Sequence, residues 1–216
     1  AALALRTSTR GMFDPTLGAQ LRDLGYDRPL VELGRAAAAV ACPPPRRDAL
    51  EVEVTGDHVR LTGEGSLDLG GVAKGWTVDR MVERLRRSGA RWGLVDGGGD
   101  IRGFGRAWGI GVGDGLAVTV SDEAVATSST LLRRWRDRAG LERHHIVDPR
   151  SGAPARTRVV TATVVAPTAT EADGLATALL VDPDLVLARL PAHGARAALR
   201  DDEGRWWTTA DWREAA

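Results

Sequence analysis

The chain has 216 residues, 43% of them hydrophobic, enough to bury one sizeable core. Lys+Arg and Asp+Glu both number 29, so the formal charge is zero and the basic excess of a nucleic-acid binder is missing. A single cysteine, Cys42, excludes an internal disulfide and a cysteine-built metal site, and no apolar run reaches the length of a membrane span.

Residues 1–9 pattern as a helix ending near Gly11. They read like the tail of an amphipathic helix, so an upstream segment is expected, and no signal peptide is visible. Asp14-Pro15 marks a turn into a short helix. Residues 30–41 pattern as a second helix, stopped by prolines 43–45, with Cys42 expected as a packed thiol at its end. "LEVEVT" and "HVRLTG" alternate apolar and polar residues around Gly56-Asp57, the signature of a hairpin. "GGVAKGWTVDRMVERLRRSG" spaces Val72, Trp76, Val78, Met81, Val82 and Leu85 as a helix, and Gly89 stops it. "RWGLVDGGGDIRGFG" reads as strand, glycine turn, strand. "WGIGVG", "LAVTVS" and "AVATSS" are three more short strands. "TLLRRWRDR" is expected to be helical. "HHIVDPRSGAP" is expected as a strand running into a turn, and "TRVVTATVVAP" as a long buried strand. "TATEADGLATALLV" is a helix with Thr168 and Glu171 spaced as a capping box. "ARAALRDDEGRWWTTA" closes as a hairpin around Asp202-Glu203-Gly204. Runs of strands with tight turns, interrupted by a few helices, predict an α+β fold with a mostly antiparallel or mixed sheet in one domain, 1–216. The seven tryptophans are expected to lie mainly in the core.

Four stretches can carry chemistry. In "DLGGVAKG" (68–75), glycines at a helix entrance let backbone N–H groups approach an anion, and Lys74 in that turn adds a point charge. Lys74 is the only lysine among 29 basic side chains. A solvated glycine turn is the competing reading, and the spacing is not that of a Walker loop. "DGGGDIRGFG" (96–105) lacks the dinucleotide-binding spacing and reads better as a hairpin, although Asp100 can still face a ligand. In "HHIVDPRSG" (144–152), adjacent histidines in a strand point to opposite faces, and Asp148 can simply brace the turn. In "EADGLATA" (171–178), Asp173 and Thr177 are four apart on one helix face. A carboxylate and a hydroxyl are a partial shell for a hard cation such as Mg²⁺; a polar stripe near a helix start is the alternative.

In order and spacing, "GMFDPTLG", "DLGGVAKGWTVDR", "GLVDGGGDIRGFG", "AVATSS", "HHIVDPRSGAP" and "VVAPTATEADGLATALLV" together resemble the ApbE family, the FAD:protein FMN transferases. Each piece alone is weakly specific, and six in sequence are strongly so. The resemblance implies binding of FAD and Mg²⁺ and transfer of the FMN portion of FAD to a threonine hydroxyl of a target flavoprotein, forming a phosphoester and releasing AMP. Some family members hydrolyse FAD to FMN and AMP instead, and a non-catalytic FAD-binding protein is a third reading. By position, the resemblance assigns Met12, Phe13, Asp14, Asp68, Lys74, His145 and Ile146 to the flavin nucleotide. It assigns Gly71, Asp173 and Thr177 to the metal, and Asp173 and Lys74 to catalysis, in a site expected near the surface. Asp96 stands where asparagine is usual, and Ser129 where glycine is common. Family members usually carry a further N-terminal portion with a strand and flavin contacts, which this sequence lacks. The implied partners are FAD and the acceptor flavoprotein, with no nucleic acid. Membrane association would come only through an absent N-terminal anchor, and the compartment stays unassigned.

Overall fold

A computed structural model describes residues 1–28, 30–33, 50–136 and 140–215. In chain order the helices are α1 (Ala2–Ser8), α2 (Gly18–Asp23), α3 (Leu30–Leu33), α4 (Ala73–Arg87), α5 (Ala169–Leu179) and α6 (Pro183–Leu187), with a 3₁₀ turn at Leu190–His193. The strands are β1 (Glu51–Thr55), β2 (His58–Thr62), β3 (Gly93–Asp96), β4 (Ile101–Phe104), β5 (Ala107–Gly113), β6 (Leu116–Ser121), β7 (Ala124–Ser129), β8 (Arg134–Arg136), β9 (Glu142–His144), β10 (Val159–Ala166), β11 (Arg196–Asp201) and β12 (Trp206–Thr208). The fold is α+β, and among the described residues every strand pair is antiparallel. The residues group into two compact units, each built from separated stretches of chain: Ala1–Phe13, Leu69–Ser129 and Thr157–Ala216 in one, Asp14–Asp68 and Thr130–Arg156 in the other. Among the described residues no helix is long and apolar enough to cross a membrane.

The first unit is built on a six-stranded sheet in the order β12-β11-β10-β7-β4-β3. Strand pleating sends alternate residues to opposite faces. Ala124, Ala126 and Ser128 of β7, with Ala162, Val164 and Ala166 of β10, therefore share one face. These side chains are small, so α5 packs down on them and is buried nearly all round. Thr168 caps α5 as its sequence predicted: its Oγ1 accepts from the Glu171 N–H and donates to the Glu171 carboxylate. Val125 and Val165 face the other way and pack with Ile110, Val118 and Val120 of the β5–β6 hairpin.

Helix α4 lies beside α5, but its buried face differs from the predicted stripe. Gly75, Val78, Asp79 and Val82 are inside, whereas Trp76, Met81 and Leu85 are exposed. The i, i+3, i+4, i+7 face is thus formed partly by a glycine and an aspartate, which an apolar pattern does not reveal. Of the seven tryptophans only Trp135 is buried. Arg106 explains two of the others: its guanidinium lies 4.5 Å from the Trp92 ring and 4.0 Å from the Trp108 ring.

In the second unit the predicted β1–β2 hairpin forms around Gly56, in register Thr55↔His58. The expected helix in "TLLRRWRDR" is replaced, over its described part, by β8 pairing with β9. The reason is a period of two. Trp135 is buried between Arg134 and Arg136, stacks on Tyr26 and donates its indole N–H to the Leu24 carbonyl at 3.0 Å. Both arginines pair with Glu142. The strand predicted to start at the histidines instead ends at His144. His144 donates Nε2–H to the Ala155 carbonyl at 3.1 Å, and burial holds its pKa below the usual histidine range. Asp148 braces its turn: its Oδ1 accepts from the Arg150 N–H at 2.9 Å. Helix α3 is the start of the helix predicted over 30–41; the rest of it, and Cys42, lie outside the described residues.

Candidate active site

The glycine loop closes onto α4 through two backbone bonds, the Val72 and Ala73 N–H groups both donating to the Leu69 carbonyl. Lys74 therefore stands in the first turn of the helix rather than in the turn ahead of it. Its side chain is about one-third exposed, and its ammonium meets two buried carboxylates. Nζ donates to Asp100 Oδ2 at 2.6 Å and lies 3.5 Å from Asp173 Oδ2. Asp100 ends the glycine turn between β3 and β4, and Asp173 projects from the middle of α5. Three separate elements thus deliver one ammonium and two carboxyl groups to one point.

The glycine turn is held by Asp96, whose Oδ1 accepts from the Gly98 and Gly99 N–H groups, each at 2.9 Å. Gly98 and Gly99 have φ of +82° and +98°, a region that favours glycine. Asparagine has the same acceptor in the same place, so aspartate at this position preserves the turn.

Asp173 is 3% exposed, whereas the Lys74 side chain beside it stays about one-third exposed. Its Oδ2 makes no hydrogen bond; the contact with Lys74 is electrostatic. Burial, reinforced by the neighbouring Asp100 carboxylate, pushes its pKa up to about 7 against the pull of the Lys74 ammonium. A buried carboxylate oxygen left without a donor is an open acceptor for a cation.

Thr177, one turn further along α5, lies 3.2 Å from Ser128 Oγ across the small-residue face of the sheet. A Cβ built on Gly71 would lie 3.1 Å from Thr177 Oγ1 and 3.2 Å from the Phe13 ring. The absence of a side chain at Gly71 therefore lets the loop backbone approach Thr177 closely. The donors assembled on this unit are all oxygen: the Asp173 carboxylate, the Thr177 hydroxyl and the backbone of the Gly71 loop. Among the described residues no group of three or more His, Cys, Asp or Glu side chains could hold a metal ion. That excludes an all-side-chain cage, but not Mg²⁺, which binds through one or two carboxylates plus waters and substrate phosphates. The residues present fit such an ion.

The structure brings together Lys74, Asp173, Thr177, Gly71 and Phe13 from the sequence reading. Met12 and Phe13 bury their side chains, and the Phe13 N–H donates to Thr9 Oγ1 at 3.0 Å. Asp14, Asp68, His145 and Ile146 belong to the other compact unit. There Asp14 accepts from the N–H and hydroxyl of Thr16, and the Asp68 N–H donates to the Pro15 carbonyl. Ile146 is buried, with its carbonyl accepting from the Ala155 N–H. Ser129 turns to the face of the sheet away from α5 and donates to the Val160 carbonyl. Two polar residues of this region escaped the sequence reading. Ser128 had no signal beyond its place in a strand. Asp79 carried one: a carboxylate at i+4 from Gly75 and i−3 from Val82, on the face that packs.

The ApbE family model matches residues 1–197. A FAD:protein FMN transferase of Treponema pallidum (strain Nichols) is 34% identical over 217 residues, covering 83% of this chain and 57% of that protein. One from Rhodobacter capsulatus is 31% identical over 225 residues, covering 97% of this chain and 43% of that protein. The chain spans about half the length of these curated relatives. The crystal structure of the ApbE protein from Thermotoga maritima superposes with a TM-score of 0.82 at 28% identity, over 97% of this chain and 73% of that one. The apo flavinyl transferase ApbE of Pseudomonas stutzeri gives 0.76 at 25% identity, over 97% and 70%.

Proposed function

Since the chain belongs to the ApbE family, we propose that it belongs to an enzyme that transfers the FMN portion of FAD to a threonine hydroxyl of an acceptor flavoprotein. Both compact units would serve as parts of one catalytic domain. The phosphoester forms as the P–O–P bond of FAD breaks; AMP leaves and the hydroxyl proton is released. The observation that carries this reading is the meeting of Lys74, Asp100 and Asp173 beside the Gly71–Thr177 contact, inside the segment matched to the family.

The chemistry is displacement at phosphorus, which demands alignment and charge stabilisation more than covalent help. Asp173, Thr177 and the Gly71 carbonyl would hold Mg²⁺, which when bound neutralises charge at the diphosphate. Lys74 supplies a fixed positive charge for a diphosphate oxygen, and its bond to buried Asp100 sets the direction of the ammonium. Met12, Phe13, Asp14, Asp68, His145 and Ile146 are proposed to contact the flavin nucleotide. The acceptor protein is expected to bring its threonine to the exposed side of Lys74.

The test uses the full-length enzyme with FAD, Mg²⁺ and a flavin-acceptor domain. The acceptor should gain the mass of one FMN phosphoester as AMP appears. An unchanged acceptor mass defeats the transfer reading, and FMN and AMP formed without any acceptor would mark a hydrolase. A second expectation concerns Lys74. Arginine preserves charge, but its broad guanidinium does not fit where a compact ammonium sits 2.6 Å from a buried carboxylate. Lys74→Arg should lower kcat/KM for FAD roughly 10–100-fold. Steady-state kinetics indistinguishable from wild type would remove Lys74 from the nucleotide site and leave it the partner of Asp100.

A further inference from the structure

We infer that Asp79 is the positioning residue of this site, one buried carboxylate that ties together the three elements carrying Lys74, Asp100 and Asp173. The inference rests on the reading of those residues as the reacting centre. Asp79 lies on α4, five residues after Lys74, and is 3% exposed. Its Oδ1 accepts from the Ala169 N–H at 2.9 Å and from Arg102 Nη1 at 2.5 Å. Its Oδ2 accepts from the Thr170 N–H at 2.9 Å and the Thr170 hydroxyl at 2.5 Å.

Each donor belongs to an element of the site. Ala169 opens α5 and stands four residues, one helical turn, before Asp173. Arg102 is on β4, two residues after Asp100. A carboxylate at a helix N-terminus satisfies N–H groups that have no partner within the helix and complements the helix dipole. Thr168 caps the Glu171 N–H, and the N–H groups of Ala169 and Thr170 are taken by α4, so the three bonds from these two residues fix both the axial position and the rotation of α5 against α4, while the fourth ties in β4. The closeness of the helices is set one turn earlier, where Gly75 leaves no room for a side chain against the Ala169 carbonyl. All four donors occupy the two oxygens of Asp79, which leaves it neither a ligand nor a base. It acts through the backbone of α5 and through Arg102.

The chain itself provides the probe. Because Lys74 is the only lysine of these 216 residues, lysine labelled with ¹³C at Cε gives an NMR signal that is assigned by its loss in Lys74→Arg and reports the surroundings of Lys74 directly. In Asp79→Asn the amide loses half of the acceptor capacity. We expect the Lys74 signal to move from its wild-type position. Turnover at saturating FAD and Mg²⁺ should fall about 10–100-fold, with KM for FAD little changed. Thr170→Val removes one donor of four and should move both readouts in the same direction by less. If both variants keep the wild-type Lys74 signal and turnover per folded molecule, and only their melting temperatures fall, Asp79 is a helix cap and nothing more. Should Asp79→Asn fail to fold, Thr170→Val decides by the same two readouts. A wild-type protein without FAD turnover would defeat the proposed function, and the Lys74 signal would still judge the positioning role.

Discussion

Asp173→Asn should lower Mg²⁺-dependent FAD turnover roughly 10²–10³-fold while leaving the melting temperature within a few degrees of wild type. The two halves of this expectation have separate causes. Activity falls because asparagine keeps the shape of the side chain but loses the negative charge that would hold a cation. The fold survives because the protein gains little from that charge. Asp173 Oδ2 accepts no hydrogen bond, and burial already favours the neutral acid. A neutral amide of the same size is a mild replacement there. Thermal unfolding with and without Mg²⁺ adds a readout independent of turnover: Mg²⁺ should raise the melting temperature of the wild type and not of the variant. A variant that unfolds in the cold would show Asp173 to be structural. Turnover within twofold of wild type would remove it from the metal site.

Gly75→Ala should destabilise the protein by about 1–3 kcal/mol or more and reduce turnover in the same variant. Intrinsic preference points the other way. In an exposed helix interior, alanine in place of glycine gains about 0.8–1 kcal/mol. Packing wins here because the added Cβ would lie 2.2 Å from the Ala169 carbonyl oxygen and 2.6 Å from its carbon, and these are backbone atoms of the neighbouring helix start. α4 and α5 must separate, which strains the bonds from Asp79 to Ala169 and Thr170 and widens the approach of Lys74 to Asp173. Gly111→Ala is the control. Its φ is not in the left-handed region and its Cβ would meet nothing within 4 Å, so it should stay within about 0.5 kcal/mol of wild type. Equal urea stabilities for Gly75→Ala and Gly111→Ala would show that the helix contact is softer than these distances imply.

Local order determined what the sequence alone could settle. The hairpin at Gly56, the glycine turn at Asp96, the β10 strand, the Thr168 cap of α5 and the closing hairpin at Gly204 all rest on residues within a few positions of one another. The single lysine where a glycine loop meets a helix, and the aspartate and threonine four apart, were legible for the same reason. The period-two burial of Trp135 was not, because a short Arg-Trp-Arg run reads as well in a helix until Tyr26, Leu24 and Glu142 arrive from elsewhere in the chain. The inner face of α4 was hidden for a related reason. Gly75 and Asp79 are buried because the start of α5 lies against them, 90 or more residues away in sequence. Trp76, Met81 and Leu85 kept the apolar spacing and stayed exposed. The charge of Asp173 belongs to this second class. Its residue type and spacing nominate a ligand, but only the packed α4, α5 and glycine turn bury it beside Asp100 and within 3.5 Å of Lys74. A carboxylate's identity is local, whereas its desolvation and its neighbours are set by tertiary contacts.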